Sequence, residues 1–557
     1  MTASLLAQPG TRLTRSDLER GVGLVARVGE VARFGFAPKL RLAAVAPPRF
    51  PAKLLAAPRD PLAGSAERAQ AMLAGRLSYG GASIRLAELS WRNGWPTAEL
   101  HAFADSFGWA RDLASHGNGR ATALAAPLLS GWLAANATPG GWAWEPARLG
   151  RRVLAFLLHS GLLLAKVELP VRSAFLMHLA HAVRVLERGA ERTEPGLDQI
   201  RATAAAAALA LALPGGDERL ARAEAALGEA VALFVAESGA VATRAPVDQL
   251  EAIELLVSVG AVYGARGRAL PRLVAARLAA CAVALRGVVL PDGRLAALSG
   301  VAFSGVRLTS ALAAVAEGAA LPEPALQRID LGPSCLLLDA GPPPEQRFSA
   351  GCSASTLGLE FVSGGERILT NVGGQRGVER ALASPLALMA RGTAAHSTLT
   401  VAETASTGLR DDGGLGRGVS EVTARRHETP LGIHVEAVHD GYRRRWGLDH
   451  RRALTLSRDG FELRGEDELV QRQFRMAPPW AARFHLAAGV TAALADGCIR
   501  IDTPGGQRWL FTASLAPALE AGMLVSASGL GIAAQQIVLR GAGAGALRWA
   551  LRRHDRG

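Results

Sequence analysis

The period of the apolar pattern changes once along this chain, near residue 325, and that change leaves few architectures open. From about residue 96 to 320, apolar side chains recur every three to four positions, which places them on one face of a helix. The spacing predicts helices over 97–109, 121–135, 144–164, 170–188, 197–213, 218–236, 246–265 and 271–285. Several open at or just after Pro, Ser or Thr and close near Gly, as helix ends do. Beyond Leu331 the pattern becomes short alternating runs divided by glycine turns. Strands are expected over 334–339, 356–362, 367–371, 397–401, 433–439, 451–457, 460–465, 482–486, 491–495, 498–503, 508–513, 532–539 and 546–552. That spacing fits a large antiparallel β-sandwich. The expected fold class is therefore α+β and multidomain, a helical ring or solenoid followed by a sandwich. Residues 1–95 form a mixed segment with loops over 35–40 and 46–51, residues 96–325 the helical domain and residues 326–557 the sandwich. A junction of this kind is a natural place for a ligand cleft.

The 557 residues suffice for a few domains of about 150 residues each. With 49% hydrophobic and 20% charged residues, general disorder is excluded. No run of about 18 apolar residues lacks a charge, so no transmembrane helix is expected. The first ten residues show neither a basic nor an apolar signal region, which on sequence alone points to the cytoplasm. Cys281, Cys335, Cys352 and Cys498 lie far apart with no CxxC; they read as small buried hydrophobes. The net charge of +13 is carried almost wholly by arginine, the lysines being Lys39, Lys53 and Lys166. Arginine suits bidentate contact with carboxylate, sulfate or phosphate. A polyanionic partner is one reading of that excess, and free use of Arg and Ala by a GC-rich genome is the other. No nucleic-acid motif is present, and the glycine-rich stretch 541–546 lacks the context of a nucleotide loop.

Several residues stand out as candidates for chemistry. His396 precedes a β-branched run at 397–401, where it could be presented into a groove or serve as a strand-edge histidine. Arg391 opens the same stretch. Tyr442 lies in the cationic run 439–445 with His439, and neighbouring positive charge would favour the phenolate. His439, His450 and His485 could act as acid–base groups, for which the unperturbed imidazole pKa is suitable, or pair structurally across strands. Arg201 and Arg244 could neutralise a substrate carboxylate or lie on exposed helix faces, and Gln199 could supply an amide. Trp142 and Trp144 could stack on sugar rings or fill the helical interior; Trp91 and Trp95 raise the same choice. His159, His178 and His181 sit on apolar helices as core or groove-lining residues.

The motifs at 72–79 (MLAGRLSY), 109–113 (WARDL), 151–159 (RRVLAFLLH), 338–344 (LDAGPPP), 359–365 (LEFVSGG), 393–399 (TAAHSTL), 439–442 (HDGY), 450–452 (HRR) and 483–485 (RFH) together resemble the heparinase II/III-like proteins. These are relatives of heparinase and alginate-type polysaccharide lyases. The resemblance covers nearly the whole chain and is strongest from 330 to 490. It implies an incomplete (α/α) toroid followed by an antiparallel β-sandwich, and β-elimination on acidic, uronic-acid polysaccharides. It also implies a periplasmic or cell-envelope location. The motif histidine of the family falls on His396. Two further positions that hold zinc in relatives fall near Ser353 and on Asn371, so no tightly held zinc and no other cofactor is expected. The position of the family's toroid tyrosine carries Asp248, and 197–203 (LDQIRAT) stands where relatives have an Asn–His pair. Two functions remain open: a lyase, with His396, Tyr442, His439, Arg244 and Arg201 catalytic and Trp142, Trp144, Arg391 and His485 binding substrate, or a catalytically degenerate glycan-binding or envelope-assembly protein.

Overall fold

The computed structural model describes residues 11–14, 53–302, 305–317, 325–374, 376, 384–474 and 478–554. The loops expected over 35–40 and 46–51 lie outside the described residues. The helical half opens with Ala66–Leu73, whose N-cap Ser65 accepts the Arg68 amide at 3.2 Å. A small hairpin, Arg76–Tyr79 with Ala82–Arg85, follows. The helix expected over 97–109 is two helices, Ala98–Asp105 and Gly108–His116, because Phe107 between them adopts a left-handed φ of 57°. Its ring is clamped by Trp109, Trp132 and Phe156, and this packing offsets the backbone strain. The expected 144–164 helix divides likewise into the turn Trp142–Trp144 and the helices Pro146–Leu158 and Ser160–Leu163. Pro146 supplies the new start, since a proline at the first helical position loses no hydrogen bond.

Leu197–Ala212 is the axis of this half. It packs against Pro146–Leu158, Leu169–Gly189, Asp217–Phe234 and Pro246–Ala265, and its burial runs around most of its circumference. Alanine allows that crowding, because a methyl side chain lets neighbouring backbones approach. At Gly150 the approach is closer still: a Cβ there would lie 2.2 Å from the Arg201 carbonyl oxygen.

Two antiparallel sheets make the sandwich. The nine-stranded sheet runs Thr11–Thr14, Glu421–Thr429, Gly432–His439, Leu448–Ser457, Glu462–Gln471, Gly545–Arg553, Arg508–Ala513, Cys498–Asp502, Thr491–Ala495. The eight-stranded sheet runs Ala518–Val525, Gly531–Ala542, Pro479–Leu486, Glu366–Thr370, Leu359–Ser363, Ser334–Asp339, Leu326–Leu331, with Leu399–Val401 paired to Pro479–Leu486. Leu336, Leu338, Leu359 and Phe361 enter the core between the sheets with Val435, Leu454, Trp509 and Trp549. Their alternate neighbours Cys335, Leu337 and Val362 enter the helical core. The eight-stranded sheet is thus covered on both faces around Ser334–Asp339 and Leu359–Ser363, and Ser334–Asp339 is buried at every residue. Among the described residues, no helix is long and apolar enough to cross a membrane.

Candidate functional site

The motif loop lies where the eight-stranded sheet meets the helices. His396 follows the turn Thr393–Ala395 and precedes Leu399–Val401, so the expected strand over 397–401 is shorter than its residue preferences suggest. His396 is fully buried and does not open on a groove. Its Nδ1 donates to the Gly392 carbonyl at 3.0 Å, and its Nε2 has no partner. Burial pushes its pKa down to about 4, so the ring is neutral at physiological pH. Behind it runs a chain of polar contacts. Asn371 Oδ1 accepts the Ser397 amide at 2.9 Å and Asn371 Nδ2 donates to Glu360 at 3.0 Å. Arg367 donates to Glu360 at 2.7 Å and to Asp292, in the turn closing the helical half, at 2.9 and 3.0 Å. His485 bonds the Ala394 carbonyl at 2.9 Å, and burial lowers its pKa to about 4 as well.

Tyr442 corrects an expectation. Its hydroxyl donates to the Leu399 carbonyl at 2.8 Å inside the sandwich. Burial raises its pKa above the ordinary phenol value, opposite to the lowering anticipated from the arginine run. The nearby Arg443 is held by Asp449 at 2.7 and 2.6 Å, so its charge is already matched. His439 Nδ1 accepts the Gly441 amide at 3.0 Å. His450 bonds Asp467 at 2.8 Å, and Arg452 grips the same carboxylate and the Ser397 carbonyl. His439, His450 and Arg452 are all buried.

On the helical side, Pro246–Ala265 presents Asp248, Glu251 and Glu254 at a spacing of three, which aligns them on one face. Each meets arginine: Asp248 meets Arg376; Glu251 meets Arg151 and, at 2.9 and 2.6 Å, Arg201; Glu254 meets Arg307 at 3.0 and 2.6 Å. Burial raises the Asp248 pKa despite Arg376, whereas Arg151 and Arg201 hold Glu251 well below the carboxylate range. Arg244, at a left-handed φ of 54°, pairs with Asp339 and donates to the Pro342 carbonyl at 2.7 Å. Arg201 and Arg244 are therefore matched by carboxylates of the chain itself. Gln199 donates weakly to the Glu191 carbonyl at 3.4 Å. Arg391 is buried, donating to the Cys352 carbonyl at 2.8 Å.

Trp144 is buried against His178, ring centres 4.4 Å apart, and its Nε1 has no partner. Trp142 is half-buried between His101, at 4.2 Å, and the Arg148 guanidinium, at 4.0 Å. Trp95 extends the stack beyond His101 at 4.8 Å. His101 and Arg148 went unnoticed in the sequence because neither sits in a motif; only their neighbourhood with tryptophans marks them.

Zinc, which the fold family implies, finds a poor donor set. Among the three positions only the His396 Nε2 offers an imidazole lone pair; Asn371 is engaged through both amide atoms and Ser353 contributes a neutral hydroxyl. Thiolate, imidazole and carboxylate are what zinc requires. Among the described residues no cluster of three or more His, Cys, Asp or Glu is placed to hold a metal.

Residues 313–550 match the family model described as heparinase II/III-like, C-terminal. FtsZ-localized protein C of Caulobacter vibrioides is 28% identical over 515 residues, covering 86% of each chain. The crystal structure of heparinase III aligns over 98% of this chain and 91% of its own, with a TM-score of 0.66 at 12% identity. The heparan sulfate lyase of Pedobacter heparinus aligns over 88% and 83%, with a TM-score of 0.54 at 14% identity. Likeness at such identities is one of fold, a helical toroid followed by an antiparallel β-sandwich. The family resemblance drawn from the motifs holds: this chain carries a heparinase II/III-like C-terminal domain and, over nearly all its length, the fold of heparinase III.

Proposed function

We propose that this chain uses a polysaccharide-lyase fold for binding and assembly rather than for bond cleavage, and that it works with the FtsZ division apparatus. β-Elimination needs a group to neutralise the uronate, a base for the proton next to it, and an acid for the leaving oxygen. One observation carries the reading: the side chains suited to those tasks are already engaged or withdrawn. Arg201 and Arg244 are paired with Glu251 and Asp339. Asp248 stands at the tyrosine position and is tied to Arg376. His396, His439, His485 and Tyr442 are buried. The partner is suggested by the name of the Caulobacter relative, matched along most of both chains.

The test has two arms. Purified protein is incubated with a panel of uronic-acid polysaccharides while the ultraviolet absorbance of unsaturated product is followed, and it is centrifuged with preformed FtsZ polymers. The expected result is no product and co-sedimentation with the polymers. Product from any polysaccharide, abolished in the His396→Ala variant, would restore the reading as an acidic-glycan lyase. Failure to pellet would remove FtsZ as the partner.

A further inference from the structure

The outer face of the nine-stranded sheet holds a pair of histidines that no motif marks. Glu421–Thr429 and Gly432–His439 pair antiparallel, with His427 directly opposite His434. Ile433, Val435 and Ala437 point into the sandwich core, so His434 and Glu436 between them face outward, and His427 follows its partner. The imidazole ring centres are 4.6 Å apart and inclined by 38°. Two imidazoles bound side by side to one ion, at metal–nitrogen distances of about 2.0–2.1 Å, place their ring centres roughly 4.6–5.3 Å apart. The observed pair stands at the near end of that range.

A second contact points the same way. His434 Nδ1 lies 2.9 Å from the Thr455 hydroxyl, on the next strand. A metal-ligating histidine characteristically gives its other ring nitrogen to such a partner, which fixes the ring and leaves the free nitrogen for the ion. Burial and the neighbouring His427 also lower the His434 pKa, which favours the unprotonated ring that a metal needs. The charged groups around His434 are Glu436, Glu466 and Arg451, and the arginine bonds both glutamates.

We propose that His427 and His434 form a two-histidine chelate for a divalent transition-metal ion of the zinc, nickel or copper class, to which imidazole is suited. The site is separate from the buried His396 position. With two protein ligands, the remaining coordination positions belong to water or to the oxygen of an anionic ligand. Those positions open beside a cavity of about 460 Å³ lined by His434, Arg451, Thr455, Arg464 and Arg548, where the three arginines are already paired with Glu436, Glu462 and Glu466.

The full-length chain, stripped of metal with a chelator, is titrated with copper(II) and read by electron paramagnetic resonance, and with zinc by calorimetry. One ion per chain is expected, with nitrogen couplings from two imidazoles. His427→Ala and His434→Ala should each abolish the two-nitrogen signal and saturable zinc binding. The outward position of both residues keeps the fold intact, which circular dichroism verifies. Thr455→Val should weaken zinc binding about tenfold while keeping the signal, the cost of losing an orienting partner. The proposal is overturned if either histidine variant binds as the wild type does, if a single-nitrogen spectrum is obtained, or if no saturable binding occurs near neutral pH.

Discussion

At His396 and His485 each imidazole sits in the interior with a backbone carbonyl as its bonding partner. Placing a proton there means burying a cation that no carboxylate bonds directly, so each folded-state pKa falls from 6.5 to about 4. A lowered histidine pKa makes stability complete above the unfolded value and removes it as pH falls toward the folded one. Between pH 6.5 and 4 the two groups together should therefore draw down the free energy of unfolding, by about 3 kcal/mol each. Urea unfolding at neutral and acid pH measures this, and a His485→Gln variant should lose about 3 kcal/mol less over the same range. The sequence named both histidines because they stand in short motifs, but it could not reveal that they are buried. Burial is set by Pro479–Leu486 and Thr393–Ala395, which are adjacent only in space. For the same reason Arg201 and Arg244 looked available: their partners Glu251 and Asp339 lie 50 and 95 residues away.

The alanine-rich helix Leu197–Ala212 shows how an element's composition follows from its position. It touches helices on several sides, and larger side chains would push them apart. The Gly150→Ala variant tests this, since the added methyl would meet the Arg201 carbonyl, an atom of backbone that cannot swing aside. A loss of about 1–3 kcal/mol is expected, measured as a lowered Tm. Gly161→Ala, where nothing lies within 4 Å of the added atom, should leave the Tm nearly unchanged. Periodicity located most elements well: 246–265, 334–339, 491–495 and 508–513 are found with the expected bounds. The errors have local causes. A strand expected to stop at Gly465 continues to Gln471, because the Trp549 indole lies across Gly465, where a Cβ would be 2.1 Å away. The glycine makes room for a ring instead of marking a turn. Glu421–Thr429 was not anticipated, since polar residues fill both its faces at 425–428, Arg425 and His427 on the outer one and Arg426 and Glu428 on the other, and mask its alternation. Ala518–Val525 was missed at the edge of its sheet, where only Leu524 and Val525 are buried.

Across the whole molecule, Arg367 joins the halves. It reaches from Glu366–Thr370 to Asp292 on the helical side and neutralises the fully buried Glu360. Removing one member of a buried ion pair costs about 3–5 kcal/mol, because the other charge stays behind without compensation. Arg367→Ala should therefore be destabilised by that amount and should separate one thermal transition into two in scanning calorimetry. A single unshifted transition would show that the other links, Arg244 with Asp339 and Asp248 with Arg376 among them, couple the halves without Arg367. The order of the halves and the heparinase II/III-like character of the C-terminal domain were legible in the sequence, because each rests on patterns local to a stretch of chain. The filling of the junction by Asp248, Glu251 and Glu254 was not, because it depends on arginines brought in from four separate segments.

The two-sided burial of Ser334–Asp339 and Leu359–Ser363 bears on how this protein could be taken apart. The stretch that matches the family model, 313–550, is an attractive fragment for recombinant expression. Cut there, the sheet would turn Cys335, Leu337 and Val362 toward water, residues that lie in the helical core of the intact chain. Contiguous exposed apolar surface of that kind drives self-association. The sequence family thus ends at a border that is no seam in the folded molecule, and shuffling sandwiches between relatives would require their matching helices to travel with them.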